Sequence, residues 1–313
     1  MKIVITGGAG FLGCKLSEAL LAKDASLELI CIDQAEPAKP VSGVTYVQGD
    51  ICEPGAFDQL IADNTTSIFH LAAIVSAHAE ADFDLGLKVN LDATRALLER
   101  CRSLDAPPRF IFASSVAAFG VAPPIVDDDT PVRPLNSYGV EKVIGEYLVG
   151  EYARRGFVDG RCFRLPTIVI RPGAPNKAAS SFASSILREP LQGLKTICPV
   201  AEELPIWIQS PRAVIANLIH GHDLPADAFE DGLRVLNLPG ITVTVAQMIA
   251  GLERAGGDVN LVSWQRDAAI EAIVGSWPEG MKTPRAQGLG FVSDDNIDAI
   301  ISVFLEDELG QCD

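Results

Sequence analysis

The stretch Ile3-Val4-Ile5-Thr6-Gly7-Gly8-Ala9-Gly10-Phe11-Leu12-Gly13 decides the fold. Its first three residues are an apolar, β-branched run that reads as a buried strand. Phe11, Leu12, Leu16, Ala19 and Leu20 then recur at helical spacing. A glycine loop between a strand and a helix is a phosphate cradle. Gly7 allows the tight turn, Gly10 lets backbone approach a pyrophosphate, and Gly13 lets helix and strand pack closely, while N–H groups at the helix start meet the negative charge. A second apolar run, Leu27 to Ile32, ends in Asp33, about twenty residues beyond Gly13, as a dinucleotide site requires. A carboxylate there accepts both hydroxyls of an adenosine ribose and repels a 2′-phosphate, which favours NAD over NADP.

Working outward, strands and helices alternate: Val44 to Val47, a helix from about Pro54 to Ala62, Ser67 to Leu71, a helix from about Phe83 to Ser103, and Arg109 to Ala113. Alternation of this kind means a parallel sheet covered on both faces, an α/β fold of the doubly wound Rossmann type. Ligands in such sheets sit at the carboxyl ends of strands. Asp50 and Ile51 follow the third strand, where the aspartate can bond an adenine amino group and the isoleucine cover its face. Leu71, Ala72 and Ala73 follow the fourth, and their small side chains admit the cofactor. Each is as readily ordinary loop chemistry when taken alone.

The fifth strand ends in Phe112-Ala113-Ser114-Ser115, and Tyr138-Gly139-Val140-Glu141-Lys142 opens an amphipathic helix. Tyr138 and Lys142 share one helical face. A free tyrosine, with a pKa of roughly 10, is a poor base at neutral pH. A neighbouring ammonium favours its phenolate and brings the pKa toward the working range. Ser115 would hold the substrate oxygen against the phenol. An exposed tyrosine and lysine on a surface helix would be the plainer reading without the cofactor site.

Composition bounds the partners. The 313 residues give ample length for a core, and a net charge of −16 argues against nucleic acid or an acidic membrane surface. It leaves an anionic substrate open, since a few local arginines outweigh the average field. Seven cysteines, scattered without a C-x-x-C pair, fit a reducing compartment, and Cys14, Cys31, Cys101 and Cys162 suit small core residues. No apolar run reaches the roughly 20 residues of a membrane span. The expectation is a cytoplasmic protein without a metal. His220-Gly221-His222 has metal-compatible spacing but no accompanying His/Cys cluster, so a satisfied or exposed loop pair is expected. Asp127-Asp128-Asp129 reads as a solvated turn, and Trp207, Trp264 and Trp277 as packing residues.

With these motifs in place the chain resembles the extended branch of the short-chain dehydrogenase/reductase superfamily. The matching segments are TGGAGFLG at 6 to 13, Asp33, HLAA at 70 to 73, Asn90, the FASS that ends at Ser115, and YGVEK at 138 to 142. The resemblance covers roughly residues 1 to 172. It implies that Tyr138 is the general acid/base, that Lys142 lowers its pKa and binds the nicotinamide ribose, and that Ser115 polarises the reacting oxygen. Pro166, Thr167 and Ile168 would meet the carboxamide. Members of the branch often dimerise through the helices containing the tyrosine and the preceding asparagine, and here Val143, Tyr147, Ala93 and Leu97 are candidates, though the same residues suit a core.

The reaction is left open by the superfamily. Residues 173–313 should form a small substrate lobe, with a strand and helix near 233–256 returning to the Rossmann domain of residues 1–172, and a last helix from Ser293 or Asp294 to Leu309. Serines at 180, 181, 184 and 185 can bond a polyol or simply cap a helix. Arg171, Arg188 or Arg212 can grip a carboxylate in a bidentate fork, or pair at the surface. Ser76 and Asn176 are further substrate-contact candidates. Arg-Glu-Pro-Leu at 188 to 191, Ser-Pro-Arg-Ala-Val at 210 to 214 and Asn-Leu-Pro-Gly-Ile-Thr-Val-Thr at 237 to 244 resemble sugar-acid dehydrogenases within the branch. That implies NAD-dependent oxidation at C2 of a four-carbon aldonate, with an arginine on C1. The runner-up is a nucleotide-sugar epimerase or dehydratase. Val116-Ala117 after Ser115 lacks the adjacent carboxylates a dehydratase would use. A non-catalytic NAD-sensing regulator would have no need of Ser115, Tyr138 and Lys142 together.

Overall fold

The computed structural model describes residues 1–173, 178–229 and 234–310. β1 (Lys2–Thr6) lies near the middle of a seven-stranded sheet. β2 (Glu28–Asp33) and β3 (Val44–Gln48) extend it to one side. β4 (Thr65–His70), β5 (Arg109–Ser115), Asp159–Leu165 and Val235–Asn237 extend it to the other. Every pairing is parallel. Successive strands therefore run outward from β1 in opposite directions, and a crevice opens where β1 and β4 part, the place where such sheets bind ligands.

The period of two along β1 shows how the sequence divides the core. Ile3 and Ile5 pack on one face with Leu16 and Leu20 of the Phe11–Lys23 helix, and Val4 packs on the other with Val89, Leu97 and Leu98. Both faces are covered, so the strands read as unbroken apolar runs. Cys31, Cys101 and Cys162 are buried there, and Cys14 is half-buried.

Several expectations are amended. The helix expected from Pro54 to Ala62 is a chain of turns. Gly55 takes a φ of +77°, and the Ala56, Asp58 and Leu60 N–H groups bond carbonyls three residues back, yet Phe57, Leu60 and Ile61 still reach the core. The stretch from Phe83 to Ser103 changes winding: Phe83–Gly86 and Ala93–Arg102 are α-helical, and Leu87–Asp92 between them is π-helical. Ala93 and Leu97 are core residues. The exposed apolar stripe is Val140, Ile144 and Tyr147 on the Ser137–Arg154 helix, at helical spacing. The last helix is Ile297–Leu309, because Asn296 caps it by accepting the Ala299 N–H at 2.9 Å, while Asp294 accepts from the Ser210 N–H.

The chain crosses between the two parts more often than a single boundary at 172 implies. Helix Pro211–Asp223 packs on the large sheet beside Leu16 and Leu20, and Val235–Asn237 joins the sheet edge. Helix Val245–Arg254 stays in the lobe, where Met248 and Leu252 pack against Ile297, Ile300 and Ile301. A small sheet of Thr167–Ile168, Pro205–Gln209 and Ile241–Thr244 ties the lobe to the end of strand Asp159–Leu165, the sixth of the large sheet in chain order. Among the described residues no helix is long and apolar enough to cross a membrane.

The two histidines of the His220-Gly221-His222 segment lie on a helix, and both are satisfied. His222 is buried between Ser67 Oγ and Asp223 Oδ1, each 2.8 Å away, and His220 bonds the Leu289 carbonyl at 2.7 Å. His70 is buried at the end of β4, 2.6 Å from Thr6 Oγ1 and 2.8 Å from Thr94 Oγ1. Thr94 donates to the Asn90 carbonyl, so His70 Nε2 carries the proton and Nδ1 accepts from Thr6. Burial holds the His70 pKa down to about 3, with the Lys142 charge adding to the effect. Its folded pKa lies below its unfolded value of 6.5, so between the two the unfolded chain binds the extra proton. Stability is present above pH 6.5 and is lost as pH falls toward 3, at up to about 1.4 kcal/mol per pH unit for this residue. Urea unfolding of the native protein and of His70→Gln at pH 7.5, 5.5 and 4.5 should show a shallower pH slope for the variant. Equal slopes would mean His70 does not carry the effect.

Candidate active site

The crevice holds two contiguous cavities, of about 380 and about 240 Å³, joined through Leu71 and Ala73. Gly7, Gly10, Asp33, Ile51 and Ala72 line the first. Gly7 sits at φ +71°, where a Cβ would lie 2.8 Å from the Ala72 nitrogen. At Gly13 it would lie 2.5 Å from the Gly7 carbonyl oxygen. Gly10 precedes the helix in extended conformation with no side chain capping the helix start. This is a cradle that any side chain would fill. Asp33 stands at its far end, its Oδ2 accepting the Ala9 N–H at 3.2 Å and its Oδ1 the Ala35 N–H at 3.3 Å. These residues fit a dinucleotide, its pyrophosphate on the glycine turn and its ribose on the carboxylate. Asp50 does not line this cavity, and its Oδ1 accepts the Cys52 N–H at 2.9 Å. His78, on the short Ser76–Ala81 helix, does line it.

The second cavity brings together residues from across the chain. Phe11, Leu12, Pro166 and Ile168, expected to meet the cofactor, line one side of it, and Ser115, Tyr138 and Lys142 its floor. Two glycines make this meeting possible. At Gly139 a Cβ would run into the Ala117 carbonyl oxygen, and at Gly145 it would lie 2.6 Å from the Phe112 ring. Asn136 caps the helix by accepting the Gly139 N–H at 2.8 Å. The helix therefore rests on β5, with Tyr138 against the end of the strand.

Charge in this cavity differs from the expectation of a phenol drawn toward neutrality by Lys142. Burial pushes the Tyr138 pKa up to about 12, against a hydrogen bond with Ser115 and the Arg171 charge that pull it down, while Glu141 pushes it further up. The buried Lys142 Nζ donates to the Ala113 carbonyl at 2.8 Å and stands 4.8 Å from the Phe112 ring centroid and 5.5 Å from that of Tyr138. Burial brings the ammonium down to about 8, while Glu141 and Glu146 hold it up. Arg171 is pushed down to about 10 by burial and by neighbouring Arg188.

A second tier holds these groups. Asn90 does not line either cavity. Its amide bonds both backbone groups of Ile74 and donates to Glu141 Oε2 at 2.6 Å, which ties the loop after β4 to the tyrosine helix. Asn90 lies in the π-helical turn, whose extra residue per turn displaces the side chain from α-helical register. Behind β5, Ser114 Oγ donates to Glu146, and Arg164 forks onto the same carboxylate at 2.8 and 2.7 Å. This buried pair gave no sequence signal, because its partners are 18 residues apart on a helix and a strand.

Of the substrate candidates, Ser76, Arg171 and Ser180 line the cavity, as does Thr167, expected on the cofactor side; Trp277, which sequence reading took as a packing residue, lines it too. Ser76 Oγ accepts the Ala179 N–H at 3.2 Å. Ser181 and Arg188 do not line it. Ser181 starts the Ser181–Leu191 helix. Arg188 donates to the Arg171 carbonyl at 2.6 Å and to Ser185, and pairs with Glu189, so it supports Arg171 from behind. Ser184 accepts the Arg171 N–H. Arg212 pairs at the surface with Glu306 and Asp307. Asn176 lies outside the described residues.

Residues 3–207 match the pattern of the NAD dependent epimerase/dehydratase family. The chain is 50% identical to the D-erythronate dehydrogenase of Cupriavidus necator, with 98% of each chain covered. It is 46% identical to the D-erythronate dehydrogenase of Haemophilus influenzae, covering 98% of this chain and 99% of that one. Among solved structures, the nucleoside-diphosphate-sugar epimerase from Agrobacterium tumefaciens is similar with a TM-score of 0.92 at 40% identity, covering 100% of this chain and 95% of that one. With the glycine cradle, Asp33 and the Ser115, Tyr138 and Lys142 floor in one crevice, the chain belongs to the NAD dependent epimerase/dehydratase family and is an oxidoreductase that uses a nicotinamide nucleotide at a CH–OH group.

Proposed function

We propose that the protein oxidises the C2 hydroxyl of a short-chain sugar acid with NAD, converting D-erythronate to 2-dehydro-D-erythronate. The observation that carries this reading is Arg171, a guanidinium lining the same cavity of about 240 Å³ as Ser115 and Tyr138. Its fork matches a carboxylate, and a 2-hydroxy acid places that carboxylate one bond from the reacting carbon. The names of the Cupriavidus and Haemophilus relatives support the same substrate.

In this reading Gly7, Gly10, Phe11 and Leu12 hold the pyrophosphate, Asp33 the adenosine ribose of NAD, and Lys142 the nicotinamide ribose. NAD supplies the acceptor for the hydride leaving C2. Ser115 Oγ hydrogen-bonds the C2 oxygen, and Tyr138 Oη takes its proton. The phenol is a strong base once ionised but starts protonated, so Arg171 both anchors the acid and favours the phenolate. Ser76 is a contact for the remaining hydroxyls. The non-membrane, cytoplasmic setting suggested by composition is part of the same proposal.

The 40% identity to a nucleoside-diphosphate-sugar epimerase favours a second reading. Against it, the catalytic cavity falls below the roughly 300–1,000 Å³ of pockets that enclose larger ligands. We further infer a homodimer through the Val140, Ile144 and Tyr147 stripe, three apolar residues in a row with side chains in solvent. Sedimentation should give a dimer for the native protein and a monomer for Tyr147→Glu. A native monomer would remove the proposal.

A panel assay of nicotinamide reduction tests the substrate. D-erythronate with NAD should turn over, with NADP, glycerate, the threonates and UDP-galactose slower. Tyr138→Phe should lower kcat/KM by about 10²–10⁴-fold with the fold intact. Interconversion of UDP-galactose with no acid oxidised would transfer the protein to the epimerase reading. Oxidation rate should rise with pH above neutral, because the proton must leave Tyr138. Arg171→Gln should raise KM for the acid about tenfold or more and move that rise to higher pH. An unchanged KM would mean that another group holds the carboxylate.

A further inference from the structure

Trp277 has a donor with no acceptor among the described residues. Its indole Nε1–H is buried and has no hydrogen-bond partner there. An N–H left unpaired away from water is costly, so its retention points to an acceptor that the described residues do not supply. The ring lines the catalytic cavity with Ser115, Tyr138 and Arg171. It also lines a hollow of about 10 Å³ behind that cavity, and Val116, Thr167 and Ser180 border both spaces. Such a hollow has room for about one oxygen atom. Trp277 is fixed in place, packed against buried groups of both the lobe core and the Trp207 cluster, with its own N–H bonded to the Val274 carbonyl at 3.3 Å.

We propose that Trp277 Nε1–H donates to a hydroxyl oxygen on C3 or C4 of the sugar acid, making Trp277 the residue that distinguishes a polyhydroxy acid from a deoxygenated one. This rests on the sugar-acid reading above, in which Arg171 takes C1 and Ser115 and Tyr138 take the C2 oxygen. The oxygens left are those on C3 and C4. Val116 and Trp277 both line the space around them, so an acid lacking the hydroxyl leaves the donor as unpaired as before. Discrimination then comes from the unmet N–H rather than from a clash.

The test compares D-erythronate with its 3-deoxy and 4-deoxy analogues in native protein and in Trp277→Phe, which keeps an aromatic ring and removes the donor. The expected result is a kcat/KM for D-erythronate about tenfold or more lower in the variant, with native and variant nearly equal on one of the deoxy acids. Equal losses on all three acids, or no loss on any, would overturn the inference. A second readout needs no turnover and no folded variant. In the native protein, one indole N–H proton resonance should move downfield when D-erythronate is added and stay in place with the matching deoxy acid. Should the native protein oxidise no acid and act on UDP-galactose instead, the sugar-acid reading fails by that fact. The same resonance is then followed with UDP-galactose, whose hydroxyls offer the same acceptor, and an unmoved signal overturns the Trp277 assignment too.

Discussion

Everything in this molecule is arranged around the parting of β1 and β4. The Gly7 N–H bonds the Ile32 carbonyl toward β2, and the Leu71 N–H bonds the Thr6 carbonyl on the β4 side. Gly7 can turn there only because it has no Cβ to meet Ala72. The buried His70 braces the same point. As a neutral ring between Thr6 and Thr94 it fixes the end of β1 to the helix containing Asn90, and Thr6 Oγ1 in turn receives the Ala72 N–H. A charged histidine there would lack an anion to pair with, so desolvation keeps it neutral and the crevice rigid.

The second constraint is that two cations and a phenol are buried together. Taken alone, burial penalises every ionised form, raising Tyr138 and lowering Lys142 and Arg171. The carboxylates of Glu141 and Glu146 offset this for the lysine, and each is itself held: Glu141 by Asn90, Glu146 by Ser114 and Arg164. Removing one partner from such a buried set leaves the other uncompensated, which costs more than the pair contributes in net stability. The charge on the front residues therefore depends on Asn90, Glu141, Glu146 and Arg164, which line neither cavity.

How much of this was legible in the sequence follows from what fixes each feature. Gly7, Gly10, Gly13 and Asp33 stand at offsets set by local strand–turn–helix geometry, and Tyr138 and Lys142 by a single helical turn, so a linear reading finds them. The small sheet, by contrast, places Thr167 beside a strand some forty positions later, and Trp277 arrives from a segment more than 100 residues on, joined by the pairing of Gly280–Met281 with Ile125–Val126. Such meetings have no period. Arg188 shows the opposite error. Its neighbours in sequence suggest a carboxylate grip, but its guanidinium is already filled by the Arg171 carbonyl, Ser185 and Glu189. The expected helix at 54 to 62 failed because its apolar residues satisfied the core from turns as well as from a helix.

The division of labour between the two parts explains why close relatives of this fold act on different substrates. The cradle and Ser115 stand at strand ends of the large sheet, and Tyr138 and Lys142 on the Ser137–Arg154 helix packed against it. The walls come from the lobe: Arg171 and Ser180 from the segment after the sixth strand, and Trp277 from the segment before the last helices. Arg171 is held at three points on its backbone and side chain, by Ser184, Arg188 and Ser180. Both backbone groups of Arg171 are thus tied to the Ser181–Leu191 helix, so a ligand that meets the guanidinium does so against a fixed backbone. Under the proposed function, substrate choice is set by these walls from the lobe, and the floor of Ser115, Tyr138 and Lys142 need not change for the substrate to do so.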